Sequence, residues 1–388
     1  MRSSQLARSF ARSIFSEMSA LAHACGAINL GQGYPDFDPP PQLRDAACNA
    51  IQHGHNQYAV SHGERVLRHA IASHAAHWYG QQLDPETDIC VTCGASEALW
   101  CALQAVVEPG DEVIVLEPSF DVYVPDVRMV RAIPVPIVLE PPLFRLDPER
   151  LRSRLTKRTR AIIVNTPQNP TGHVFSIEEL QAIAQVCIEH DLVAIVDEVY
   201  EHITFEPHEH IRLATLEGMS QRTITISSAA KTFAATGWKC GWALGPEPLI
   251  SAIRRVHQFT TFASATPFQY AVAEGLQLPD TYFHDLRADY TARRALLLEA
   301  LAETPLVVFP PEGTYYVVAD ISPVAPEMSG YQWCRWLAQT VGVAAIPLEV
   351  FYHDPAVGRS LVRFAFCKQE ETLRAAAERI VELRTATP

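Results

Sequence analysis

Lys231 is a lysine placed for chemistry rather than for solubility. It sits among small residues in Ser227-Ser-Ala-Ala-Lys-Thr-Phe-Ala-Ala-Thr-Gly-Trp-Lys-Cys-Gly-Trp242, after an alternating run at 223–227 and before a glycine–aromatic turn. An ammonium packed among apolar neighbours loses hydration, its pKa falls, and the neutral amine becomes a nucleophile toward a carbonyl. Eight residues later Lys239 adds a fixed positive charge. A reactive amine beside a second cation suits a carbonyl compound that carries a phosphate, and pyridoxal phosphate fits that description. Taken alone, Lys231 also reads as an ordinary loop lysine.

Four other groups fall where strands should end and helices begin. Gly94-Ala95-Ser96 lies between a strand pattern and a helix pattern, where backbone N–H groups and the helix dipole hold a phosphate. Asn169 sits in Asn165-Thr-Pro-Gln-Asn-Pro-Thr-Gly172, a loop fixed by two prolines, where an amide can donate to an anionic oxygen. Asp197 follows Leu-Val-Ala-Ile-Val directly. A carboxylate at the end of a buried strand needs a partner. It is either a structural ion pair or the counter-ion of a protonated ring nitrogen. Tyr200, three residues on, can reach the phenolic oxygen of the same ring. A phosphate cradle, a ring-nitrogen acid, two ring-oxygen partners and a Schiff-base lysine converge on one cofactor. A nicotinamide site is a poor alternative, since no G-x-G-x-x-G follows the first strand.

The elements that must position these groups alternate strand and helix. Strand patterns cover 89–93, 112–116, 133–139, 160–165, 192–196 and 223–227. The run at 192–196 is apolar on both faces, hence central and parallel. Helix patterns cover 14–23, 40–52, 64–79, 94–107, 177–190 and 247–258; Ser176 and Glu179 form a capping box for the fifth of these. This is an α/β order, a mainly parallel sheet with helices on both faces, and ligands bind beyond the carboxyl ends of such strands. After residue 278 the character changes to a long helix at 282–303, strands at 306–309, 314–320 and 361–366, a helix from 330 and a last helix at 370–384. The expected organisation is an arm with part of a small domain at 1–45, a large cofactor-binding domain at 46–278 and a small α+β domain at 279–388.

Composition narrows the class. A chain of 388 residues, 48% hydrophobic and 19% charged, can bury a large core. The net charge of −13, without a basic cluster, argues against nucleic acid or anionic membrane as partner. No apolar run reaches spanning length. Arg2, Arg8 and Arg12 precede any acid, faintly like a transit peptide, but site-like sequence begins already at Asn29. Nine scattered cysteines read as reduced thiols in the cytoplasm. Cys90 and Cys93 are formally C-x-x-C, but on a strand their side chains point to opposite faces. The 15 histidines form no pair with zinc-site context, so no residue is assigned to a metal; His208 and His210, like His53 and His55, read as surface loops.

Across nearly its whole length the chain resembles the fold-type I, pyridoxal-phosphate-dependent class I aminotransferases, nearest the kynurenine, glutamine and methionine group. Ten stretches in order carry the match: 28–37, Asn56-Gln-Tyr58, 91–98, 117–123, 165–172, Asp197-Glu-Val-Tyr-Glu-His202, 228–242, Glu312-Gly-Thr-Tyr-Tyr316, 342–351 and 361–366. The resemblance implies an aspartate aminotransferase-like fold with a seven-stranded sheet in the large domain. It implies that Lys231 forms the Schiff base and moves the proton, that Asp197 pairs with the ring nitrogen, and that Asn169 and Tyr200 hold the ring oxygen. Phe120 would stack on the ring. Gly94, Ala95, Ser96, Ser228 and Lys239 would hold the phosphate, with Tyr58 reaching it from the other subunit of a homodimer. Arg363 would clamp the substrate α-carboxylate, with Gly33, Asn169 and Tyr123 lining the substrate and Phe262 donated by the partner beside Ala263. The Asn169–Pro170 bond is expected to be cis.

What the resemblance implies for activity is ping-pong transfer of an amino group from a neutral, large-side-chain L-amino acid (methionine, glutamine, aromatic or kynurenine) to a 2-oxo acid. Two departures bear on the donor: relatives often carry an aromatic where this chain has Ser96, and some a histidine where it has Ala263. A cysteine-conjugate or cystathionine β-lyase on the same fold is the alternative; the 236–239 and 313–316 stretches favour transamination. A DNA-binding regulator of this fold would need a domain ahead of the motifs that begin at 28, and an acidic chain suits it poorly.

Overall fold

The computed structural model describes residues 3–10 and 12–384; Arg2 lies outside them. A seven-stranded sheet forms the centre, from β2 (Ile89–Thr92), β3 (Glu112–Glu117), β4 (Ile133–Val138), β5 (Thr159–Asn165), β6 (Val193–Asp197), β7 (Thr223–Ser228) and β8 (Gly241–Leu244). Their spatial order is β2-β8-β7-β6-β5-β3-β4. All neighbouring pairs are parallel except those of β8, which runs antiparallel to both β2 and β7. Six of these strands match the strand patterns read from sequence to within a residue or two; β8 had no pattern of its own. The fold is the aspartate aminotransferase-like α/β fold.

Alternation along the central strands explains why the sheet is covered on both faces. Ile114, Leu116, Ile162 and Val164 pack on one side, with Leu180 and Ile183 of the helix Ile177–Glu189. Val113, Val115, Ala161 and Ile163 pack on the other, against Ala98, Leu99 and Ala102 of the helix Ala95–Val106. The Ser176–Glu179 capping box is made in both directions. The helices Ile14–Cys25 and Arg65–Tyr79 both stop at a left-handed glycine, Gly26 and Gly80.

A second, antiparallel sheet has the order β12 (Ile346–Pro347), β13 (Leu361–Ala365), β10 (Tyr316–Asp320) and β9 (Val307–Phe309). The short β1 (Ile28–Asn29) pairs in parallel with β11 (Val343–Ala344), so the start of the chain is joined to its last third. The segment after β1 is then stitched to the end of β13. Ala365 N donates to Leu30 O at 2.6 Å, Arg363 to Gly31 O at 2.9 Å, and Lys368 Nζ to Tyr34 O at 2.7 Å. Gln369 N and Thr372 Oγ1 bind the Asp36 carboxylate.

Two histidine expectations are corrected. His210 is not a surface side chain: it is buried with Nε2 3.1 Å from Glu198 Oε2. Histidines do pair in space, since His74 Nε2 and His202 Nε2 are 2.8 Å apart although 128 residues separate them in sequence. Among the described residues no helix is long and apolar enough to cross a membrane.

Candidate active site

The carboxyl ends of β2, β3, β5, β6 and β7 open onto one cavity of about 310 Å³. Because β8 runs the other way, its entering end lies at the same edge, which brings Lys239 there as well. Gly33, Gly94, Ala95, Ser96, Phe120, Tyr123, Asn169, Asp197, Tyr200, Ser228, Lys231, Lys239 and Arg363 all line the cavity. Two expected residues do not. Tyr58 and Phe262 pack edge to face 5.4 Å apart, with Tyr58 86% and Phe262 37% exposed.

Lys231 sits in the single-turn helix Ala229–Thr232, capped by Ser228. Its Nζ donates to Gly33 O at 3.4 Å and lies 5.6 Å from the Tyr200 ring centre. Burial outweighs the attraction of Asp197 and lowers its pKa to about 8. Near neutral pH a usable fraction is therefore the nucleophilic free amine.

Asp197 ends β6. Its Oδ2 accepts from Tyr123 Oη at 2.7 Å and its Oδ1 from Val199 N at 3.2 Å. Asn165 donates to the Asp197 carbonyl at 2.8 Å and fixes the strand end. Burial pushes the Asp197 carboxyl up, against the pull of the Tyr123 hydrogen bond. A cationic N–H donor at Asp197 would offset that desolvation, and a protonated pyridine nitrogen is such a donor.

The anion cup follows from backbone geometry. Gly94 holds φ +82° and ψ 170° as N-cap of the helix Ala95–Val106, whose first N–H groups face the cavity edge. A side chain on Gly94 would meet Lys239 Nζ at 3.2 Å. Lys239 itself adopts the left-handed region at φ 52°. The free donors and the ammonium together match a phosphate.

Arg363 is fully buried on β13, between β10 and β12. Its Nη1 donates to Asn169 Oδ1 at 2.8 Å and its Nη2 to Gly31 O, and its plane lies 3.9 Å from the Tyr316 ring centre. Nε has no acceptor, and Arg363 forms no ion pair among the described residues. A buried guanidinium with no carboxylate in contact among the described residues calls for an anionic ligand. Asn169 is held twice: its N–H donates to Asn165 Oδ1 at 2.7 Å and its own Oδ1 is taken by Arg363. That leaves its Nδ2 to donate. The Asn169–Pro170 bond is cis.

Sequence reasoning passed over Tyr316, Asn165, Tyr34 and Phe15. Tyr316 stacks on Arg363 and meets Tyr200 Oη at 3.1 Å; its motif carries the resemblance but implies no role for this side chain. Asn165, at the end of β5, fixes both Asp197 and Asn169. Phe15 and Tyr34 reach the cavity from the first 34 residues, and nothing local to them signals that. The cavity as built can hold a phosphorylated pyridine aldehyde: a cup, a carboxylate, a lowered lysine and a carboxylate-binding arginine converge in it.

Comparison with known proteins agrees. Residues 26–380 match the family described as aminotransferase class I and II. Over 384 residues the chain is 46% identical to a probable N-succinyldiaminopimelate aminotransferase of Mycobacterium tuberculosis, covering 96% of each chain. It is 42% identical to the methionine aminotransferase of Escherichia coli over 370 residues, 95% of each. It is 38% identical to human kynurenine–oxoglutarate transaminase 1 over 400 residues, 94% of each. The solved structure of the M. tuberculosis N-succinyldiaminopimelate aminotransferase superposes with a TM-score of 0.95, covering 98% of this chain and 100% of that one at 45% identity. The chain belongs to the class I and II aminotransferases. It is an enzyme of the transferase class.

Proposed function

We propose that this enzyme uses pyridoxal phosphate to move the amino group of a neutral, large-side-chain L-amino acid to a 2-oxo acid. The observation that carries the reading is Arg363, a buried guanidinium with no carboxylate in contact among the described residues, opening onto the same cavity as the lowered Lys231. Bound there, the cofactor would supply an aldehyde for Schiff-base formation and a ring that accepts the electron pair left at the substrate Cα.

The residues of this chain do the rest. Arg363 binds the α-carboxylate and so fixes the orientation of Cα. Lys231 takes the Cα proton and returns it on the far side of the transfer, a positioned acid–base step of typically 10²- to 10⁴-fold in rate. Asp197 holds a proton on the ring nitrogen, and Tyr123 holds Asp197. Asn169 and Tyr200 donate to the ring oxygen, while Ala95, Ser96, Ser228 and Lys239 hold the phosphate. Phe120 covers the ring. Phe15, Tyr34 and Val122 are left for the substrate side chain, and the cations lining the cavity, Lys231, Lys239 and Arg363, already have tasks. This favours a neutral side chain over a second carboxylate.

The exposed Tyr58, Phe262 and Phe259 support a homodimer in which each subunit completes the other's site. The cytoplasm is the expected compartment.

The test is a half-reaction. The holoenzyme is mixed with one amino acid at a time and no acceptor, and cofactor absorbance and products are followed. One oxo acid formed per site, with the cofactor left in its amine form, is the expected result; methionine, glutamine, phenylalanine and kynurenine should outrank aspartate and N-succinyldiaminopimelate. Pyruvate and ammonia from cystathionine or a cysteine conjugate, with the cofactor unchanged, would replace transamination by β-elimination. A preference for either of these acidic donors would overturn the donor class.

A further inference from the structure

Two cysteines flank the two chain segments that build the anion cup. Cys93 immediately precedes Gly94, and Cys240 immediately follows Lys239. In the antiparallel ladder of β2 and β8, Cys90 is opposite Ala243, Val91 opposite Trp242 and Thr92 opposite Gly241. The ladder ends at Thr92 and Gly241; carried one step further, its register sets Cys93 beside Cys240.

The hydrogen bonds define the kind of pair. Val91 N donates to His62 O, away from β8, so position 91 is a non-hydrogen-bonded position of the ladder. Position 93 has the same parity, and its N–H goes to Glu97 Oε2 at 2.5 Å instead of across the ladder. Directly opposed residues at such positions have Cα atoms about 4.5 Å apart and side chains on one face. That separation lies within the range a disulfide spans. Beyond the last ladder pair the segments remain in backbone contact: a Cβ on Gly241 would fall 2.5 Å from Gly94 C and 2.6 Å from Ala95 N. Cys240 packs on the Val91 and Trp242 face, as this register requires. Cys90 and Cys101 belong to the opposite face. Neither thiol is in a disulfide; Cys93, whose Sγ donates to Ala263 O at 3.7 Å, is partly exposed and is the one reagent reaches first, while Cys240 is buried and lines the cavity.

We propose that Cys93 and Cys240 form a reversible disulfide that staples the Gly94 turn to the Lys239 segment. The oxidant is a small organic disulfide. The Cys93 thiolate attacks one of its sulfurs and expels a thiolate, giving a mixed disulfide. The Cys240 thiolate then attacks Cys93 Sγ and expels the second thiolate. The two thiol protons go to the two leaving groups, so two protein thiols are oxidised and one small disulfide is reduced to two thiols. Burial holds the thiol of Cys240 up at about 12 and raises that of Cys93. Exchange is therefore slow at neutral pH and accelerates as pH rises. The bridge stands on strand register alone. Its effect on the cup rests on the function proposed above: a preorganised cup releases its phosphate more slowly.

The experiment uses the full chain, with and without pyridoxal phosphate, incubated with oxidised glutathione at mildly alkaline pH. Free thiols are then alkylated and the unreduced digest is mapped by mass spectrometry. The expected product joins the Cys93 and Cys240 peptides and disappears on treatment with dithiothreitol, while the exposed Cys25 and Cys48 carry glutathione only. Both thiols alkylated, glutathione alone on Cys93, or Cys93 joined to Cys101 would each overturn the bridge. Cys240→Ser should leave Cys93 as a glutathione adduct; a cross-link that survives in this variant would also overturn it. With the bridge mapped, cofactor loss on dialysis should slow by about threefold or more; equal rates would remove the effect on the cup. A bridge that forms in a chain unable to bind pyridoxal phosphate in either state would refute the proposed function and leave the bridge intact.

Discussion

At the scale of single residues, the site works by denying charges their ordinary partners. Lys231 is half-buried, with no carboxylate in contact among the described residues, and loss of hydration lowers its pKa to about 8. Capture of pyridoxal phosphate by the cofactor-free protein should therefore speed up about tenfold per pH unit below 8 and level off above it. The stability sign follows from the same shift. Between about 8 and the ordinary lysine value the unfolded chain binds the extra proton, so the folded state gains as pH rises through that window. Lys231→Ala should retain cofactor binding and lose turnover by at least about 10⁴-fold; near wild-type turnover would exclude the lysine from proton transfer. Arg363→Gln should raise KM and lower kcat/KM for every amino acid by about 10²-fold or more, because the substrate carboxylate then meets no cation. Tyr123→Phe removes one hydrogen bond to Asp197 and should cost about tenfold in kcat. Most of these residues were legible in the sequence because each stands at a strand end beside a turn signal. Tyr316 was less so: an aromatic inside a strand reads as core until Arg363 is seen lying on it.

At the scale of elements, short-range signals were read well and long-range ones were not. The capping box at Ser176 depends on four consecutive residues and is present as expected. β8 went unread because Gly241-Trp-Ala-Leu follows a glycine turn and its antiparallel seat between β2 and β7 is a tertiary fact. His173 shows the same limit. Its two ring nitrogens bind Glu179, on a helix, and Glu312, 139 residues away, at 2.9 to 3.0 Å. Those carboxylates outweigh its burial and raise its pKa to about 9. The contribution, about 3 kcal/mol, is fully present below the unfolded value of about 6.5 and is lost as pH rises through 9. Thermal unfolding of wild type against His173→Gln should therefore show a gap that narrows between pH 6.5 and 9; a gap independent of pH would mean His173 acts only by packing. Gly94→Ala places a side chain at φ +82° and against Lys239 Nζ. Weaker retention of pyridoxal phosphate, with little change in far-ultraviolet circular dichroism, is the outcome to look for.

At the scale of the whole molecule, the α/β order and the parallel sheet followed from alternation of strand and helix patterns. The company kept by the two ends of the chain did not, since β1 is two residues long and pairs with β11 more than 300 positions away. Tyr58 and Phe259, 86% and 91% exposed, lie outside this chain's own cavity. Light scattering should report a dimer, and Tyr58→Ala should weaken phosphate retention without altering Lys231. A fully active monomer would contradict shared sites.

The stitching of residues 30–36 to residues 363–372 also sets an order of events during synthesis. β2 to β8 are all available once residue 244 has left the ribosome, and Lys231, Asp197 and the cup come with them. The segment carrying Gly33 and Tyr34 was made far earlier, yet its fastenings at Arg363, Lys368 and Gln369 are translated more than 300 residues later. On the proposed function, a nascent chain can therefore own a finished lysine and a finished phosphate seat while its amino-acid seat does not yet exist. On the proposed function, the grip on substrate forms only after residues 363–369 have followed the whole seven-stranded sheet out of the ribosome.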